Sequence, residues 1–64
     1  MRDPSRIKPF CDRLTRIWSV FPDLRFGQLM MILYDRWMST YGRDWFYAED
    51  DELIRFIEQE MVKY

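Results

Sequence analysis

Phe21-Pro22-Asp23-Leu24-Arg25-Phe26-Gly27-Gln28-Leu29 decides how this 64-residue chain is organised. Before it, Ile7, Phe10, Cys11, Leu14, Ile17, Trp18 and Phe21 recur at helical spacing. Wound at about 100° per residue they cover an arc of roughly 120°. After it, Phe26, Leu29, Met30, Leu33, Tyr34, Trp37, Met38 and Tyr41 recur in the same way, and with Met31 they span roughly 200°. Pro22 ends the first periodic segment, and proline biases Phe21 before it away from helical geometry. The stretch is therefore a corner between two helices, with Asp23 expected to cap the second.

The first helix is expected to open at Asp3-Pro4, because aspartate caps well and proline at the first helical position has no amide to lose. Pro9 predicts a kink or a tight first turn, since it removes a backbone bond and crowds the carbonyl of Ser5. A helix apolar over more than half its circumference, as the second is, belongs at the hub of its domain or in an interface. Gly27 falls inside that arc and suggests a close helix–helix approach, and Gly42 is a natural stop. Asp44-Trp45-Phe46-Tyr47 is a second aromatic corner, expected to plug one end of the core. The third helix opens in Glu49-Asp50-Asp51-Glu52 and runs through Leu53, Ile54, Phe56, Ile57, Met61 and Tyr64. The reading is one all-α domain over residues 1–64, with three helices near 4–20, 24–41 and 49–63, the middle one as hub.

Composition narrows the classes of function. A chain this short buries only about 60% of the surface its unfolded form exposes. Cys11 is the only cysteine and there is no histidine, so no disulfide framework or Cys/His zinc site can staple it. Three Trp, four Tyr and five Phe supply a dense aromatic core instead. The N-terminus has no apolar run of signal-peptide length, and no stretch approaches the roughly 18 apolar residues of a membrane span. Together with one unpaired cysteine this points to a cytoplasmic protein that engages no membrane.

Net charge is −1, which disfavours a generally cationic nucleic-acid binder. The charge is unevenly spread: residues 1–25 carry six basic and three acidic side chains, residues 26–64 four basic and eight acidic. The plain explanation is that the first and third helices are neighbours with complementary rims. The sharper one makes Arg2, Arg6, Arg13 and Arg16 a basic face for phosphates. Glu49-Asp50-Asp51-Glu52 lacks the spacing of a calcium loop and suits a helix N-terminus, where negative charge meets free amides. Cys11 lies in an apolar arc with no histidine to activate it, so it is read as inert and buried. No phosphate-cradling glycine loop, paired carboxylate arrangement or nucleophile elbow is present, so neither a cofactor, a metal nor a small-molecule substrate is expected, and the chain is read as non-enzymatic.

The surplus apolar positions carry the functional reading. Met30, Met31, Ile32, Tyr34 and Met38 exceed what two short neighbours readily bury. Met31, Ile32, Asp35 and Met38 are the candidate interface, for another protein or for a second copy of the chain. A nucleic-acid accessory role for the arginine flank is the alternative.

Arg6-Ile7, Ile17-Trp18, Pro22-Asp23-Leu24-Arg25-Phe26-Gly27-Gln28-Leu29 and Asp44-Trp45-Phe46-Tyr47-Ala48-Glu49-Asp50-Asp51-Glu52-Leu53 stand in an order that resembles a family of small uncharacterised proteins of Gram-positive gut bacteria and their phages, with a W…PDxRxGQL…DxFYxEDxEL pattern. The resemblance runs from about Arg6 to Leu53. Phe26 and Trp45 stand where Leu is more usual, a change of packing. The resemblance implies a small helical protein of bacterial or phage origin and transfers no functional residue.

Overall fold

The computed structural model describes residues 2–63. A 3-10 turn, Pro4–Arg6, leads into helix α1, Ile7–Ser19. Helix α2 spans Phe26–Tyr41, a second 3-10 turn spans Trp45–Tyr47, and helix α3 spans Asp50–Lys63. The all-α, three-helix reading holds, while Tyr64 lies outside the described residues.

Local chemistry sets the ends. Asp3 caps the opening turn, its carboxylate accepting the Ser5 N–H at 2.9 Å. The tight turn expected near Pro9 lies just ahead of it, at Pro4–Arg6, and Pro9 itself sits in the first turn of α1, where its missing N–H has no partner to lose. At the first corner the Trp18 indole N–H donates to the Leu24 carbonyl at 2.8 Å and Leu24 N–H donates to the Phe21 carbonyl at 3.1 Å. That turn occupies Asp23, so Asp23 does not cap α2; the N-cap is Arg25, whose N–H is accepted by the Gln28 side chain at 2.8 Å. Gly42 ends α2 with φ +66°, and its N–H donates to the Met38 carbonyl.

Ile17, Leu29, Leu33, Ile54, Ile57 and Met61 form the core, with Phe10, Leu14, Trp18, Phe21, Leu24, Met30, Trp45 and Leu53 packed against it. The expected hub role is divided. Leu29, Leu33 and Trp37 of α2 are wholly buried, but α3 is the helix on which α1 and α2 both pack most closely. Trp37 stacks edge-on against Phe56 at 5.1 Å and tilted against Tyr41 at 4.4 Å, with the Arg43 guanidinium over the Trp37 ring at 5.1 Å. Among the described residues its Nε1–H finds no acceptor, so this end of the core depends on ring packing rather than on a polar anchor.

Two smaller expectations fail. Gly27 is exposed, and a Cβ there would meet nothing within 4 Å, so it marks no close helix approach. Cys11 is exposed rather than buried. It lies at one edge of the α1 arc, about 60° from its centre at about 100° per residue, while Ile17, the buried residue of α1, lies at the other edge and packs with Ile54, Ile57 and Met61 of α3.

Candidate protein-interaction face

Complementary rims join α1 and α3. Arg2 pairs with Glu49 at 2.7 Å, Arg6 with Asp50, and Arg13 with Glu58 through two parallel bonds of 2.9 and 2.6 Å. Hydrogen bonding to Glu58 holds the Arg13 guanidinium above its ordinary pKa, and the same bond holds the Glu58 carboxyl below its own. Three of the four arginines of the candidate basic face are thus engaged by carboxylates of the same chain. Arg16 makes no such pair among the described residues; it lines, with Glu58, a mostly apolar hollow of about 290 Å³ formed with Ile17, Val20, Phe21, Met61 and Val62, and its charge also lowers the Glu58 carboxyl pKa. The acidic run feeds this seam and the first turn of α3, where Asp50, Asp51 and Glu52 face free amides. Asp51 also pairs with Arg55 at 3.5 Å and Glu52 with Arg43 at 3.0 Å. Among the described residues no three His, Cys, Asp or Glu side chains cluster as metal ligands would.

The opposite flank is built differently. On α2, wound at about 100° per residue, Met31 and Met38 lie about 20° apart, with Tyr34 about 40–60° to one side and Asp35 about 40–60° to the other. Met31 is 62% exposed and Met38 37% exposed, and Asp35 is exposed. Ile32 is half-buried and lies beyond Asp35, so the structure separates it from the two methionines. The predicted set is thus brought together at Met31, Asp35 and Met38 but not at Ile32.

Sequence reasoning missed the other half of this face. Trp45 is half-buried against Tyr34, edge-on at 5.0 Å. Phe46 and Tyr47 do not plug the core: they are 79% and 81% exposed and pack edge-on against each other at 4.9 Å. Successive side chains of a 3-10 turn diverge by about 120°, so one wall can take only one of three consecutive rings. The signal available in the sequence was Asp44, which caps the turn through the Phe46 N–H at 2.9 Å and so commits the three aromatics to that geometry. Tyr34 lies between the two halves. Burial first, then the charge and hydrogen bond of Asp44 and the charge of Asp35, raise its phenol pKa.

No helix among the described residues is long and apolar enough to cross a membrane. Compared with known proteins, the chain matches no family model, no curated protein and no solved structure.

Proposed function

We propose that the chain is a small non-enzymatic protein-interaction module that works through the flank of α2 and the Trp45–Tyr47 turn. The carrying observation is the side-by-side exposure of Phe46 and Tyr47, next to a turn seated on Tyr34 of the helix that bears Met31 and Met38. Large rings held at the surface are costly to leave in water, and aromatic residues dominate the energetics of protein interfaces. Methionine adapts its shape to what it meets. The underlying helices are rigidly packed, so the face is presented with little ordering left to do on binding. A cytoplasmic setting and the bacterial or phage origin implied by the sequence resemblance belong to the same proposal.

The nucleic-acid reading is disfavoured because Arg2, Arg6 and Arg13 are each held by a carboxylate. Phosphate binding would have to break those pairs.

A photo-crosslinking residue placed at Met31 or Tyr47, in cells that express the chain, tests the proposal. The expected result is a discrete protein adduct at both positions and none at Thr15, which is exposed on α1. Adducts no different from those at Thr15, with a chain that sediments as a monomer, would overturn it.

A further inference from the structure

The charges around the proposed face identify the chemistry of what it binds, an inference that rests on the reading above. Asp35 lies beside Met31 and Met38 on α2, and Asp44 caps the turn that carries Phe46 and Tyr47. Among the described residues neither carboxylate meets a lysine or arginine, whereas Glu49, Asp50, Asp51, Glu52, Glu58 and Glu60 each do. Arg43, beside Asp44 in sequence, lies over the rings of Trp37 and Tyr41 and pairs with Glu52, and Arg36, beside Asp35, pairs with Glu60 at 3.1 Å. Asp35 borders the two methionines on the side away from Tyr34, and Asp44 caps the turn whose Trp45 ring packs on Tyr34. The flank therefore presents exposed methionine and aromatic side chains between two uncompensated negative charges.

We infer that this flank receives a cationic amphipathic helix of another protein, one whose lysines or arginines border a stripe of large apolar side chains. The apolar stripe would cover Met31, Met38 and Phe46, and the basic borders would reach Asp35 and Asp44. Met31 and Met38 are two helical turns apart, about 10 Å, which matches the i, i+7 repeat of an amphipathic partner. A second copy of the chain fits less well. In a two-fold interface a patch meets itself, which would set these carboxylates against their own kind. An anionic membrane or a nucleic acid carries the wrong sign.

Fluorescence anisotropy tests this with two labelled peptides of about 18 residues, one of Leu and Lys and one of Leu and Glu with the same apolar stripe. The Leu/Lys peptide should bind at least about tenfold more tightly than its twin. Asp35→Asn/Asp44→Asn should weaken it about tenfold, while Asp12→Asn/Asp23→Asn, which removes the same charge elsewhere, should weaken it less than about twofold. Asn at position 44 keeps the turn cap, so the fold is retained. Equal loss in both double variants, equal binding of the two peptides, or no binding of the Leu/Lys peptide at ~100 µM would overturn the inference. The two readings fail separately. If Met31→Gln/Phe46→Ser abolishes binding and the Asn variants do nothing, the face stands and its cationic partner falls. If wild type sediments as a dimer that Met31→Gln/Phe46→Ser dissociates, the occupant is a second copy and the cationic partner again falls. If only the Asn variants act, the face itself falls and the inference goes with it.

Discussion

Along the seam of α1 and α3, Arg2 meets Glu49, Arg6 meets Asp50 and Arg13 meets Glu58, over a core lined by Ile17, Ile54 and Ile57. On the flank of α2 and the aromatic turn, Asp35 and Asp44 meet no base among the described residues, and Met31, Phe46 and Tyr47 meet mostly solvent. The seam spends its side chains on folding. The flank holds apolar side chains that the core leaves exposed. The difference teaches where to look for function in a domain this small, because its stability margin is only about 3–5 kcal/mol. Apolar surface left out of such a core is a cost to folding that binding can recover.

The largest effect should come from breaking the seam from inside. Ile54→Ala removes a buried side chain of α3 beneath the Arg6 and Arg13 pairs. It should cost about 2–5 kcal/mol in urea unfolding and leave the domain largely unfolded in water. A cost below about 1 kcal/mol would mean the seam is held by its charges rather than its core.

The two glycines should answer with opposite signs. Gly42 sits at φ +66° between α2 and the aromatic turn, so Gly42→Ala should destabilise by about 1 kcal/mol. Gly27 has helical geometry and open space for a Cβ, so Gly27→Ala should stabilise by about 0.5–1 kcal/mol. Thermal unfolding of both variants decides it. Destabilisation by Gly27→Ala would restore a close contact at that position.

Acid should weaken the seam. Glu58 has its carboxyl pKa lowered by the bond from Arg13. Its contribution is therefore complete above the ordinary value of 4.5 and is lost as pH falls through the lowered one. Arg13 is shifted upward from the ordinary guanidinium value, so its own titration lies in strong alkali and adds nothing to this window. Melting temperature measured between about pH 6 and pH 3 should fall less for Glu58→Gln than for wild type. Part of the fall should persist, because Asp3 is also lowered, by its bond from the Ser5 amide. Parallel curves would show that the pair contributes nothing to folding.

The smallest effect on stability belongs to the flank. Met31→Gln/Phe46→Ser should move the unfolding free energy by less than about 0.5 kcal/mol per site, while abolishing crosslinked adducts. Loss of the fold in this variant would make the flank structural and erase the contrast with the seam.

The three helices were legible because each element carries its own signals. Helical periodicity, Asp3-Pro4, Pro22 and Gly42 act within a few residues, and hydrogen bonds of that range do not depend on the rest of the chain. The complementary charge of the first and third helices was legible for a related reason: rims of opposite sign are favourable wherever two helices become neighbours. Exposure depends on the neighbours themselves. Cys11 and Phe46 are apolar in sequence, but α3 covers only part of the α1 arc and a 3-10 turn directs one ring in three toward α2. Asp23 does not cap α2 because the turn closed by the Trp18–Leu24 hydrogen bond delays the helix start to Phe26, and Gly27, in the first turn of α2, faces open space. The sequence by itself determined which segments are helical and where they stop. Tertiary structure alone decided which apolar and charged side chains were consumed by packing, because burial and pairing require partners distant in the chain.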